Sequence, residues 1–110
     1  MEKVILFQLE RRDMKISMQI YFNKNDQLYF DGYDIGKSVE EIMGDADYEY
    51  TYTIEPDEVL KFYKIFNLPE GDKAGLLESI KNNFSINEAY SLFGKFMKEH
   101  NIKYEAFTWR

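Results

Sequence analysis

At 110 residues, with 45% apolar and 17% aromatic residues, the chain has enough material for one packed core, and we expect a single domain over residues 1–110. The net charge is −6. The absence of cysteine excludes a disulfide framework and a thiolate metal site. The first apolar run, of four residues, is too short for a signal peptide, and no stretch is long and apolar enough to span a bilayer, so we expect a cytoplasmic protein.

The first third of the chain predicts three strands. Residues 4–11 form the first, and in residues 15–22 apolar and polar side chains alternate, which fixes one buried face for the second. Residues 23–26 are Asn and Asp with one Lys, a composition typical of turns, and they lead directly into a third strand at residues 28–32. The three strands are therefore expected to form a meander.

Glycines on both sides bound a short predicted helix at residues 37–43. The clearest strand pattern follows at residues 48–54, where Tyr48, Tyr50 and Tyr52 lie on one face and polar residues on the other. We predict that this strand is central or nearly central in the sheet and that its tyrosines are substantially buried, since such regular aromatic alternation is typical of a core face.

Three helices and a last strand are predicted in the remaining half. Pro56 starts the first helix, with acidic residues in its first turn, and a second helix follows a break at residues 67–72. Ser85 and Glu88 have the spacing of a capping box that opens a third helix. Residues 103–109 form the closing strand.

Strands therefore cluster early and helices late, in the order βββαβαααβ. This order predicts an α+β fold with an antiparallel sheet of about five strands and three to four helices packed on one face.

Acidic charge is concentrated in residues 31–58, which carry ten acidic residues against one lysine, a net charge of −9, whereas the other 82 residues have a net charge of +3. Such a segment repels nucleic acid and attracts basic proteins. The ordinary alternative is that these residues are solvated loop and helix-start positions. The predicted partner-binding residues are Asp31, Asp34, Glu40, Glu41, Asp45, Asp47, Asp57 and Glu58.

No catalytic site, metal site or cofactor motif is predicted. His100 is the only histidine and lies at a predicted helix end, where a cation complements the helix dipole, so a structural role is expected. Residues 45–49 begin like a calcium-binding EF-hand loop, but Tyr50 stands where that motif needs glycine and Pro56 where it needs glutamate. The tyrosines of residues 48–52 could stack on bases or sugars, but their acidic neighbours disfavour nucleic acid.

Three segments carry a resemblance to a known class of proteins: DGYDIGKSVEE at residues 31–41, GDADYEY at residues 44–50 and HNIKYE at residues 100–105. They resemble a signature of small bacterial proteins that we associate with immunity proteins, which neutralise the toxins of polymorphic toxin systems. The resemblance covers about residues 28–107. It implies a toxin domain as partner and brings no catalytic residue with it.

The leading hypothesis is a non-enzymatic protein-binding module, an immunity-type inhibitor of a basic toxin domain that binds through the acidic segment. Two alternatives stay open. One is an enzyme or small-ligand-binding domain, which a deep polar pocket between sheet and helices would favour. The other is a structural domain that forms a homo-oligomer through an exposed strand edge, which a two-fold interface above about 1,000 Å² would favour.

Overall fold

A computed structural model describes residues 3–36 and 47–109 and shows an α+β fold, as predicted. Five antiparallel strands form one sheet in the order β1-β2-β3-β4-β5, so that each strand pairs with its neighbour in the chain. The strands are β1 Lys3–Glu10, β2 Met14–Phe22, β3 Leu28–Gly36, β4 Asp47–Ile54 and β5 Glu105–Trp109. The helices are α1 Pro56–Ile65, α2 Lys73–Phe84 and α3 Ala89–Glu99.

The predicted meander of the first three strands is confirmed, and its turn has the chemistry expected of residues 23–26. The Asn23 side-chain oxygen accepts hydrogen bonds from the backbone N–H groups of Asn25 and Gln27, both at 3.0 Å. Asp26 has a φ of 61°, a left-handed conformation that Asp tolerates better than most residues. The helix predicted at residues 37–43 lies outside the described residues.

The third strand is longer than predicted, because β3 continues past Gly32 to Gly36 and pairs with β2 over its whole length. Asp31, Asp34 and two glycines lower the strand propensity of this stretch. Pairing on both sides, with β2 and with β4, supplies the backbone hydrogen bonds that outweigh this low propensity.

The helices cover one side of the sheet. Side chains from alternate strand positions on this side, such as Ile20 and Phe30, pack with Phe62 of α1, Ile80 of α2 and Phe93 of α3, and all five are fully buried. Phe93 is at the centre, with ring centroids 5.8 Å from Phe30 and 5.6 Å from Phe62. Within the described residues, no helix combines the length and the apolar character needed to cross a membrane.

The capping box predicted at the start of the third helix is wrong. Helix α3 begins at Ala89, and Glu88 is its N-cap without a side-chain hydrogen bond. Ser85 instead ends α2, where its hydroxyl donates to the Lys81 carbonyl. The hydroxyl that could have capped one helix is used by the helix before it, which sequence spacing alone does not reveal.

The prediction for the tyrosine strand is confirmed. Strand β4 lies between β3 and β5, Tyr50 and Tyr52 are buried, and Tyr48 is partly buried against the core. The Tyr52 hydroxyl donates to the Tyr90 carbonyl at 2.8 Å, and the rings of Tyr52 and Tyr90 stack at 4.0 Å. The strand therefore holds α3 through its aromatic side chains.

Candidate functional site

The side of the sheet opposite the helices has no element of the described residues packed on it. Directly paired residues of antiparallel strands point to the same side, so the register identifies its members. We call this side the open face; it comprises Lys3, Ile5, Gln8, Glu10, Lys15, Ser17, Gln19, Tyr21, Tyr29, Asp31, Tyr33, Ile35, Asp47, Glu49, Thr51, Thr53, Glu105, Phe107 and Trp109.

Aromatic side chains are exposed on the open face. Phe107 is 62% exposed and Trp109 is 40% exposed, and their ring centroids lie 4.9 Å apart on the edge strand β5. Tyr21 and Tyr29 are partly buried against each other across β2 and β3, with centroids 5.5 Å apart. Large aromatic side chains on a sheet surface are costly to leave in water and are enriched in protein interfaces.

The charge of the open face is divided between its two halves. Strands β3, β4 and β5 contain no Lys, Arg or His, and they direct Asp31, Asp47, Glu49 and Glu105 to this face. The lysines of the open face are on the other two strands, Lys3 on β1 and Lys15 on β2. We call the part formed by β3, β4 and β5 the acidic half.

Hydrogen bonds hold two of these carboxylates in place. The Tyr33 hydroxyl donates to Asp47 Oδ2 at 2.9 Å, and Gln19 Nε2 donates to Asp31 Oδ2 at 3.3 Å. The bond to Asp47 raises the pKa of Tyr33, and partial burial together with the charges of Asp31 and Glu49 raises the pKa of Tyr29. Hydrogen bonds from neighbouring side chains therefore orient Asp31 and Asp47 on the open face.

The structure distributes the predicted acidic residues among several places. Asp31 and Asp47 lie on the open face, whereas Asp34 points to the helix side of the sheet because it is three residues from Asp31 along the strand. Asp57 and Glu58 lie in the first turn of α1. Glu40, Glu41 and Asp45 fall outside the described residues.

Glu58 has structural partners. Its Oε1 accepts a hydrogen bond from the Lys103 backbone N–H at 2.7 Å and one from Lys61 Nζ at 2.8 Å. These bonds lower the pKa of Glu58, the backbone bond being the stronger influence. Glu58 thus ties the segment that leads into β5 to the start of α1.

Asp34 lies in a pocket of about 320 Å³ between the sheet and the start of α3. We call it the tyrosine pocket; it is lined by Ile16, Met18, Asp34, Tyr48, Tyr50, Asn87, Glu88, Tyr90 and Ser91. The Tyr50 hydroxyl donates to Asp34 Oδ1 at 2.7 Å. Burial raises the pKa of Asp34, and the hydrogen bond from Tyr50 opposes this shift.

Gly32 gives the Tyr50 ring its position. The ring lies across Gly32 on the neighbouring strand, so that a Cβ atom added there would be 1.8 Å from Tyr50 Cε2. We expect Gly32→Ala to displace the ring and to lower the free energy of unfolding by about 1–3 kcal/mol, measured by urea denaturation. In a Tyr50→Val background the same substitution should cost much less, because no ring is left to displace. Equal costs in both backgrounds would show that the ring does not occupy this position.

His100 is the C-cap residue of α3, as the sequence predicted. It is exposed, and its ring lies 4.4 Å from that of Phe96. Within residues 3–36 and 47–109, no three side chains of the His, Asp and Glu types come together in a way that could hold a metal ion.

We expect His100→Gln to change the free energy of unfolding by less than about 0.5 kcal/mol, as is usual for an exposed position. Thermal unfolding followed by circular dichroism would measure it. A loss of unfolding free energy above about 2 kcal/mol would indicate that the contact between His100 and Phe96 contributes to stability.

Sequence reasoning missed the contribution of β5 to the open face. The pattern of residues 105–109, with Glu, Phe and Trp at alternate positions, contains the signal, since alternation places these three side chains on one side. Which side they occupy depends on the register with β4, and that register is a property of the folded sheet.

Comparisons of the chain with protein-family models, with curated proteins and with solved structures found no match.

Proposed function

We propose that the chain is a non-enzymatic protein-binding module and that the acidic half of the open face is its contact surface. The observation that carries this proposal is the exposure of Phe107 and Trp109 beside four carboxylates on strands that contain no basic residue. Exposed aromatic side chains supply contact area, and the carboxylates select the charge of the partner.

The dimensions of the open face are adequate for this role. A strand spacing of about 4.8 Å and a rise of about 3.4 Å per residue make the face about 20 Å wide and about 25 Å long. A standard interface buries about 800 Å² on each partner, so the acidic half, about half of this face, can supply the centre of one while neighbouring surface completes it.

The partner is a basic protein. Asp31, Asp47 and Glu49 lie on the same side of the adjacent strands β3 and β4. Carboxylates spread over one surface in this way favour lysine and arginine side chains, whose aliphatic and planar groups also pack on aromatic rings. An acidic surface accelerates the approach of a basic partner and repels nucleic acid.

Among basic partners, the resemblance to immunity proteins favours a toxin domain that this chain inhibits in the cytoplasm. Small size, a net charge of −6 and an exposed sheet face suit an inhibitor that acts by covering its target.

A photo-crosslinking experiment tests the proposal. A benzophenone amino acid at position 107 of the open face should capture a basic protein from the native source, and the same group at Leu92, which is 39% exposed on the helix side, should not. The captured protein, once purified, should bind the unmodified chain with an association rate that falls as salt rises. Capture through position 92 alone, or a salt-independent association rate, would overturn the proposal.

The edge strand β5 makes self-association the alternative with a structural basis, since its outer backbone groups have no strand beside them within the described residues. Sedimentation of the isolated protein distinguishes a module that binds another protein from a homo-oligomer. A monomer at micromolar concentration is the expected result, and a stable dimer that hides Phe107 would favour the homo-oligomer.

A further inference from the structure

The tyrosine pocket lies on the helix side of the sheet, away from the open face, and the proposed function makes no use of it. Its volume of about 320 Å³ is at the lower end of the range of small-molecule sites, so it fits a compact group. A ligand of this pocket would therefore not compete with a partner on the open face.

Three aromatic rings meet in the lining of the pocket. The ring centroids of Tyr48 and Tyr50 are 5.6 Å apart at 49°, and those of Tyr50 and Tyr90 are 4.9 Å apart at 65°. The rings are therefore inclined to one another and form a corner. An aromatic ring attracts a cation through the negative face of its π system, and the rings of Tyr48 and Tyr90 are partly exposed here, whereas Tyr50 is buried.

Two of the three rings, those of Tyr50 and Tyr90, are fixed before any ligand arrives. The Tyr50 hydroxyl donates to Asp34, the Tyr90 hydroxyl donates to the Thr51 carbonyl at 3.1 Å, and the Tyr50 ring lies on Gly32. A pocket held in this way loses little freedom when a ligand binds.

Among the described residues that line the pocket, Asp34 and Glu88 are acidic and none is Lys, Arg or His. Asp34 is half-buried with a Tyr50 hydroxyl as its partner, and no basic side chain of the described residues forms a salt bridge with it. A metal ion would require more oxygen ligands than the two carboxylates provide. An organic cation can pair with a carboxylate and also pack on an aromatic ring.

We propose that the tyrosine pocket is a binding site for a compact alkylammonium group, with the partly exposed rings of Tyr48 and Tyr90 as its aromatic walls, the buried Tyr50 as the residue that orients Asp34, and Asp34 as its counter-charge. The group is carried either by a free small molecule or by a side chain of a peptide.

Asp34 is a position where function and stability oppose each other. Burial raises its pKa above the ordinary value, so the ionised carboxylate is less favourable in the folded chain than in the unfolded chain. A raised carboxyl pKa means that ionisation costs stability at pH 7, and this cost disappears as the pH falls below the unfolded pKa. Asp34→Asn, which can still accept from Tyr50, should therefore leave the melting temperature unchanged or raise it.

Binding would be measured by NMR titration of the aromatic signals of Tyr48, Tyr50 and Tyr90 with choline chloride, at an ionic strength matched with sodium chloride. We expect saturable shifts for choline and at least tenfold weaker binding of 3,3-dimethylbutan-1-ol, which has the same shape without the charge. Asp34→Asn should weaken choline binding at least tenfold in a folded protein. Glu78→Gln, an exposed change on α2, should leave the affinity within twofold.

The aromatic wall has its own pair of variants. Tyr48→Phe keeps the ring and should retain choline binding, whereas Tyr48→Leu keeps apolar volume without the ring and should weaken binding about tenfold.

A second titration with an acetylated trimethyllysine amide separates the two sources of the alkylammonium group. Tighter binding of this amide than of choline points to a peptide side chain, and the reverse order points to a free small molecule. Equal affinity for choline and its neutral analogue, or no shift at the three tyrosines with either cation, would overturn the proposal and leave the open face unaffected.

Discussion

Neutralising the acidic half with Asp31→Asn, Asp47→Asn and Glu49→Gln is expected to slow association with the basic partner about tenfold at low salt and to change dissociation much less. The amides keep the hydrogen bonds from Gln19 and Tyr33, so the sheet should be undisturbed. The expected difference falls as salt rises, because the Debye length is about 8 Å at physiological ionic strength. Surface plasmon resonance across a salt series measures both rates.

A control with the same change in net charge tests whether position matters. Glu70→Gln, Glu78→Gln and Glu99→Gln remove three charges from exposed positions on the helix side. We expect this variant to associate at nearly the rate of the unmodified chain. Equal slowing by both triple variants would show that overall charge, and not the open face, attracts the partner.

Replacing Phe93 by alanine is expected to lower the free energy of unfolding by about 3–5 kcal/mol, the usual cost of removing a buried phenylalanine. Phe93 is fully buried, and its ring contacts rings from the sheet, from α1 and from α2, including Phe84 at 5.2 Å. A domain of this size has about 5–15 kcal/mol of stability in total, so the loss is a large share of it.

Urea denaturation measures this effect, and the neighbouring residue provides the control. Leu92 is 39% exposed, so Leu92→Ala should cost less than about 1 kcal/mol. If Phe93→Ala is too unstable to purify, Phe93→Leu should give an intermediate loss. A cost for Phe93→Ala no greater than that for Leu92→Ala would contradict the packing of α3 on the sheet.

Much of the fold could be predicted because local patterns and tertiary packing agree. Alternation in β2 and β4, the turn at residues 23–26 and Pro56 at the start of α1 each act within a few residues, and the structure has all of them. One prediction failed because one residue had two possible roles. Ser85 fits the start of one helix and the end of another, and only the position at which α2 ends decides between them.

The candidate site was harder to predict, because nearness in sequence is not nearness in a sheet. Asp31 and Asp34 are close in sequence, but their odd separation puts them on opposite sides of β3, one on the open face and one in the tyrosine pocket. Conversely, Glu105 and Phe107 join the acidic half from the far end of the chain through pairing with β4. Composition identified the acidic region, whereas the strand register determined which of its residues lie on the open face and which lie on the helix side.

The most direct test of the central claim is hydroxyl-radical footprinting of the free chain and of its complex with the basic partner, read by mass spectrometry. Large exposed side chains report from both sides of the molecule: Phe107 and Trp109 on the open face, and Leu60, Ile86 and Leu92 on the helix side. We predict that oxidation of Phe107 and Trp109 falls several-fold in the complex while the three aliphatic residues keep their rates. Protection of Leu60, Ile86 and Leu92 with Phe107 and Trp109 unchanged would contradict the assignment of the open face as the binding surface.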